Sequence, residues 1–180
     1  YPVDIQNGEL VAGFYAYKSH RIVPCSSCLL QPEEFSLCID AFSKWAKESG
    51  VTSYDEKTGK GLLRHIYLRK AVATGEIMAC AVINGNSLPN ENLLVELLSG
   101  IDGVCSVCVN FNKNDTNVIL GDQTKIIYGK EYITDILLGK KFVISPNSFY
   151  QVNHNQCEKL YSIAGKYAEL TGNETVVDLY

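Results

Sequence analysis

Leu62-Leu63-Arg64-His65-Ile66-Tyr67-Leu68-Arg69-Lys70-Ala71-Val72, Ala73-Thr74-Gly75, Glu76-Ile77-Met78-Ala79-Cys80-Ala81-Val82-Ile83 is the stretch that decides the fold. Two β-rich runs flank a short break that contains glycine, which is the pattern of a hairpin. Asn84-Gly85-Asn86-Ser87 then interrupts the chain. Each flank supplies a helix. Upstream, Pro32 suits a first helical turn, and Glu33 and Glu34 suit the positive end of the helix dipole. Phe35, Cys38, Ile39, Phe42, Trp45 and Ala46 recur at helical spacing and give one apolar face, with Gly50 just past the end. Downstream, Leu93, Leu94, Leu97 and Leu98 make residues 91–99 helical, closed by Gly100.

Further out, residues 11–15 and 103–111 read as strands. A hydrophilic loop at 112–116 leads to Val118-Ile119-Leu120, expected to pair back, and short strands are expected at 124–128, 131–136 and 141–144. A last helix starts near Asn153, where Asn153 and Gln156 form a capping-box pattern. Leu160, Ile163, Ala164, Tyr167, Ala168 and Leu170 are its expected buried face, Gly172 its end, and residues 175–180 a final strand. The sum predicts an α+β fold: a largely antiparallel sheet with packed helices over residues 1–144. Residues 145–180 read as the first helix and strand of a truncated α/β unit, so a piece excised from a longer protein is expected.

A chain of 180 residues suits one domain, or one domain and part of another. Apolar residues at 46% and charged residues at 20% exclude disorder. The longest apolar runs fall far short of the ~18 residues of a membrane helix, so no membrane association is expected. The net charge of −4 argues against a freestanding nucleic-acid binder, though not against a domain whose neighbour supplies the basic surface. Seven cysteines, an odd count, fit reduced thiols and a cytoplasmic setting better than a disulfide framework.

Phe142-Val143-Ile144-Ser145-Pro146-Asn147-Ser148-Phe149-Tyr150-Gln151-Val152-Asn153 resembles the F-x-I-S-P-x-S-F-x-Q-V-N signature of the RNA uracil-5-methyltransferases. The helix from Gln156 to Tyr161 is similar to the one that follows it in that family. Val177-Asp178-Leu179-Tyr180 resembles the start of V-x-D-L-Y-C-G-x-G, where the first methyltransferase strand meets the cofactor. Leu63-Arg64-His65 and Ser19-His20-Arg21-Ile22-Val23 resemble the family's L-R-H and S-H-x-I-V segments. The resemblance spans nearly the whole chain. It implies a central domain followed by the opening of the methyltransferase domain, without the N-terminal RNA-binding barrel, the Gly-rich cofactor loop, the nucleophilic Cys or the general-base Glu.

The implied reaction moves a methyl group from S-adenosylmethionine to C5 of a uridine in RNA, ribosomal rather than transfer RNA. A thiolate adds to C6 and makes C5 nucleophilic, and a base later removes the C5 proton. The target base must leave its stack to be reached. No catalytic residue is expected in this chain, which is predicted to be inactive alone and monomeric. By resemblance Gln151 and Tyr180 belong to the cofactor site, and Phe149, Asn153 and Arg64 to the RNA and uracil pocket. From the residues alone, Phe149 also suits a core filler, Gln151 a loop or cap residue, and Asn153 an N-cap.

Family members often hold a four-iron cluster through four cysteines. Cys28 best matches the fourth ligand, with Cys25 close enough to leave the assignment open, and no cluster is expected on this chain alone. A self-contained CxxC metal or redox module is the rival reading. It is weakened because Cys105 and Cys108 lie three apart in an apparent strand, which puts them on opposite faces. Cys157 suits a core position. His20, His65 and His154 do not cluster by sequence, and of Arg64 and His65 only one is expected to face RNA.

Overall fold

The computed structural model describes residues 1–177 and Leu179; Asp178 and Tyr180 lie outside the described residues, and with them the expected cofactor contact at Tyr180. The element order is β1 (Val3–Gln6), β2 (Glu9–Tyr15), β3 (Ile22–Pro24), α1 (Glu34–Glu48), β4 (Leu63–Lys70), β5 (Ile77–Ile83), α2 (Glu91–Ser99), β6 (Val104–Phe111), β7 (Gln123–Gly129), β8 (Ile133–Leu137), β9 (Lys140–Ile144) and α3 (His154–Ala168). This is a mixed α and β architecture.

The quoted hairpin forms as expected. β4 and β5 pair antiparallel and head a sheet of order β4-β5-β6-β7. The next pairing departs from the expected pattern, because β5 and β6 run parallel. A parallel pair needs a crossover, and α2 lies within it. β5 is buried at every position. Ile77, Ala79, Ala81 and Ile83 join one cluster with Phe42 and Trp45 of α1 and Leu94 and Leu98 of α2. Met78, Cys80 and Val82 join the other, with Ile133 and Ile144 of the β8–β9 hairpin. Both faces of the strand are covered, so it reads as a continuous apolar run rather than an alternating one. Trp45 is fully buried and its indole N–H donates to the carbonyl of Pro89 at 2.9 Å, so its polar end stays satisfied.

β1, β2 and β3 form a separate three-stranded sheet. Asn7 and Gly8 close the β1–β2 hairpin at φ 55° and 80°, the left-handed pair of a type I′ turn.

Three expectations are corrected. Val118, Ile119 and Leu120 form no strand. The carbonyls of Val118 and Ile119 accept from the Asn112 amide, and Asn110 holds Gly121 at both ends of its own amide, so side chains take the bonds a ladder would use. The face of α3 expected to be buried is largely open: Tyr167 is 84% exposed and Leu160 60%, and only His154 and Cys157 are buried in that helix. Periodicity shows that a helix has an apolar face, not that its cover lies in the same chain. Thr175, Val176 and Val177 form no strand among the described residues.

Candidate functional site

The segment from Ser145 to Asn153 links β9 to α3 without regular structure, and two anchors fix it, one half-buried and one buried. The first is Arg69, near the end of β4. Its Nη1 donates to the carbonyls of Ser145 (2.7 Å), Ser148 (2.6 Å) and Pro146 (3.3 Å). Pro146 directs the chain into a turn that the two serines tie together: the Ser145 N–H donates to Ser148 Oγ at 3.1 Å, and the two hydroxyls lie 2.7 Å apart. Burial lowers the guanidinium's pKa from its ordinary value, with the nearby Tyr67 opposing. Arginine remains charged throughout.

The second anchor is Asp135 of β8, which has no exposed surface. Its carboxylate accepts the N–H groups of Val72, Ala73 and Ile136 at 3.1, 2.8 and 2.9 Å. It also accepts the Tyr150 hydroxyl, and His154 Nδ1 lies 3.1 Å from it. Burial pushes this carboxyl up, but the Ala73, Ile136 and Val72 N–H donors outweigh it and hold its pKa below the ordinary value. Burial, and then the Asp135 charge, push the Tyr150 phenol well up, so it stays a donor. One carboxylate thus joins the β4–β5 turn, β8, the signature segment and the first turn of α3.

Tyr150 turns inward, beside Phe142 at 5.9 Å between ring centres. Its neighbours turn outward. Phe149 is 84% exposed, Val152 is 96% exposed, and Gln151 is exposed. Among the described residues, Phe149 is packed into no core. Asn153 is exposed and its Oδ1 accepts the Gln156 N–H at 3.2 Å, so it caps α3. The segment presents an aromatic ring and an amide on a backbone fixed from behind, an arrangement that can stack a flat ring and hydrogen-bond its edge.

Arg64 does not join this group. It sits five residues along β4 from Arg69, buried, with Nη1 donating to the carbonyls of Asn112 and Asn114 and Nη2 to that of Thr116. Sequence reasoning selected Arg64 from the L-R-H pattern and missed both Arg69 and Asp135. Neither was given a role, because a single charged residue in a strand carries no local mark of partners that lie far along the chain. Tyr150 and His154, each one residue from a selected position, were the only local hint of a buried partner.

All seven cysteines are free thiols. Cys28 is half-buried, as is Cys25, whose Sγ lies 3.4 Å from the Ser27 carbonyl. Two thiols cannot hold a four-iron cluster, and among the described residues no group of three or more His, Cys, Asp and Glu could hold a metal ion. The geometry of the second CxxC needs correction. The β5–β6 register steps from Val104 to Ser106 and skips Cys105, a bulge that resets the alternation. Cys105 and Cys108 consequently both pack on the second core cluster. Burial raises the Cys105 thiol, and a thiol–thiol bond to Cys108 and burial raise Cys80, so neither is poised as a thiolate. Cys157 is buried, as expected.

Comparison with known proteins gave relatives on both levels. No family model matches the chain. It is 44% identical over 180 residues to an uncharacterized RNA methyltransferase of Halalkalibacterium halodurans, covering 99% of this chain and 39% of that protein. It is 43% identical over 173 residues to an uncharacterized RNA methyltransferase of Caldanaerobacter subterraneus, covering 96% of this chain and 38% of that one. Among solved structures it is similar to the Pyrococcus abyssi tRNA (uracil-54, C5)-methyltransferase in complex with S-adenosyl-L-homocysteine, with a TM-score of 0.74 at 23% identity, over 92% of this chain and 40% of that one. The chain spans about two fifths of the length of the curated relatives it matches.

Proposed function

The chain belongs to the RNA methyltransferases represented by these relatives, and from that premise we propose that it supplies one wall of the active centre of an S-adenosylmethionine-dependent RNA uracil-5-methyltransferase. The observation that carries this is the segment clamped by Arg69 and Asp135, which leaves Phe149 and Gln151 exposed and uncommitted. In this reading the Phe149 ring stacks on the target uracil, and the Gln151 amide holds the cofactor, which supplies the methyl group when bound. Asn153 stands beside them and caps α3. The solved relative of the same fold holds a cofactor product, S-adenosyl-L-homocysteine, and acts on tRNA.

Residues 1–144 act as the central domain and residues 145–180 as the opening of the methyltransferase domain. The thiolate and base of the reaction come from outside this chain, and the open face of α3 is where the rest of that domain packs. Cys28 is the residue of this chain suited to a cluster ligand in an enzyme whose other ligands lie elsewhere. The substrate is RNA, with ribosomal RNA the first to test, and the setting is the cytoplasm. No helix among the described residues is long and apolar enough to cross a membrane.

The test is methyl transfer from labelled S-adenosylmethionine to ribosomal and transfer RNA transcripts. It compares the 180-residue chain with the longer polypeptide that contains it. We expect transfer by the longer protein, loss of at least about 100-fold with Phe149→Ala or Gln151→Ala, and none by the chain alone. Full transfer by both variants overturns the assignment of the site.

A further inference from the structure

The two motifs that the site above did not absorb, Ser19-His20-Arg21-Ile22-Val23 and Leu63-Arg64-His65, converge on one cleft of about 520 Å³ between the β2–β3 connection, the loop at 53–57 and β4. That volume falls within the roughly 300–1,000 Å³ of small-molecule sites. Its walls carry equal numbers of acids and strong bases, but the two classes are not equally engaged. Asp4 accepts from the Ile5 N–H, the Ser53 hydroxyl and the Gln6 amide. Asp55 accepts the Lys57 N–H at 2.9 Å and the Thr58 hydroxyl at 2.9 Å, and Glu56 pairs with His20. The acids are spent on the protein itself. The guanidinium of Arg21 and the ammonium of Lys57, by contrast, make no ion pair among the described residues.

The cleft also holds aromatic surface. Tyr15 is 43% exposed and stacks on His20, with ring centres 5.1 Å apart and planes 29° apart. At the floor, Arg64 lies with its guanidinium carbon 4.3 Å from the centre of the Tyr54 ring. Arg64 Nε and His65 Nδ1 are buried there without a hydrogen-bond partner. Free cations beside a stacked, half-open aromatic ring suit a ligand with a phosphate and a flat ring.

We infer that this cleft binds an unpaired RNA nucleotide, the base stacked on Tyr15 and the phosphate held by Arg21 and Lys57. The inference rests on the proposed RNA substrate and adds a second point of contact away from Phe149. With a net charge of −4, the chain as a whole repels a polyanion, so any RNA contact needs a local site of this kind.

The test measures binding of the 180-residue chain to a fluorescein-labelled single-stranded oligoribonucleotide by anisotropy, next to an abasic oligomer of equal length and charge. Tyr15→Ala and Arg21→Ala are each expected to weaken binding about tenfold, with circular dichroism and melting temperature unchanged, while Lys44→Ala, which removes an exposed cation of α1 outside the cleft, leaves it within twofold. The abasic oligomer is expected to bind about tenfold more weakly than the intact one. Equal binding of both oligomers overturns the inference, as does an absence of binding. Loss of binding only with Phe149→Ala also overturns it, while leaving the proposed RNA substrate standing. Failure of that substrate reading is seen separately, as an absence of methyl transfer by the longer protein.

Discussion

Removing the carboxylate of Asp135 is expected to loosen the candidate site and destabilise the domain together. In Asp135→Ala, the N–H groups of Val72 and Ala73, the Tyr150 hydroxyl and His154 Nδ1 all lose one acceptor that has no exposed surface. A buried donor left unsatisfied costs about 1–3 kcal/mol, and bonds to a charged group contribute about 1.5–3 kcal/mol each. The terms are not additive, and the carboxylate itself bears a desolvation cost in the folded state. The net expectation is a loss of about 4 kcal/mol, a large share of the 5–15 kcal/mol that holds a typical domain together. At about 2–4 °C per kcal/mol for a chain of this size, the melting temperature falls by roughly 10 °C.

Urea titration followed by circular dichroism gives the global figure, and hydrogen exchange over residues 145–154 gives the local one. Exchange there should accelerate more than in β5, whose strand neighbours stay paired. The pH dependence supplies a second reading. Because the folded carboxyl titrates below its ordinary value, its contribution is present above the unfolded pKa and is lost as pH falls through the folded one. The gap between wild type and variant should therefore narrow under acid. A loss below about 1 kcal/mol, or unchanged exchange over 145–154, would refute the reasoning.

Four further outcomes are expected. Arg69→Met keeps the aliphatic stem but removes the donors to Ser145, Pro146 and Ser148; it should cost about 2 kcal/mol and reduce methyl transfer by the longer protein, and unchanged kinetics would remove its positioning role. Burial, with Arg64 adding to it, lowers His65 from 6.5 to about 4, so the folded state resists protonation and stability falls between about pH 6.5 and pH 4, by up to roughly 3 kcal/mol. Urea midpoints should show that slope in the wild type and a flatter one in His65→Gln. Gly129→Ala, at φ 72° and with its new Cβ 2.0 Å from the Cys105 carbonyl oxygen, should destabilise by roughly 2–4 kcal/mol in thermal melts. Phe149→Ala removes a ring that is 84% exposed, so its melt should stay within about 0.5 kcal/mol of wild type, and a larger drop would mean the ring packs on the domain.

Much of the architecture was legible. The β4–β5 hairpin and α1 carry their own local signals: a glycine turn between β-rich runs, and an apolar stripe behind an acidic start. The parallel partner of β5 was not legible, because an all-apolar strand does not reveal which neighbour lies on which side. The bulge at Cys105 escaped because one skipped residue leaves no mark on composition, yet it moved two thiols onto one face. The apolar face of α3 was visible, but its cover is not supplied by the described residues.

The sequence by itself determined the elements, the apolar faces and the signature segment with Phe149 and Gln151 in it. These follow from local periodicity, turn chemistry and motif, all of which act over a few neighbouring residues. Only the tertiary structure decided that Arg69 and Asp135 hold that segment while Arg64 holds a different loop. The partners of Arg69 lie 76 to 79 residues away along the chain, and the carboxylate of Asp135 reaches Val72 and Ala73 across 63 and 62 residues. A buried charge must find its bonds wherever the fold brings donors and acceptors together, and no local pattern encodes that meeting.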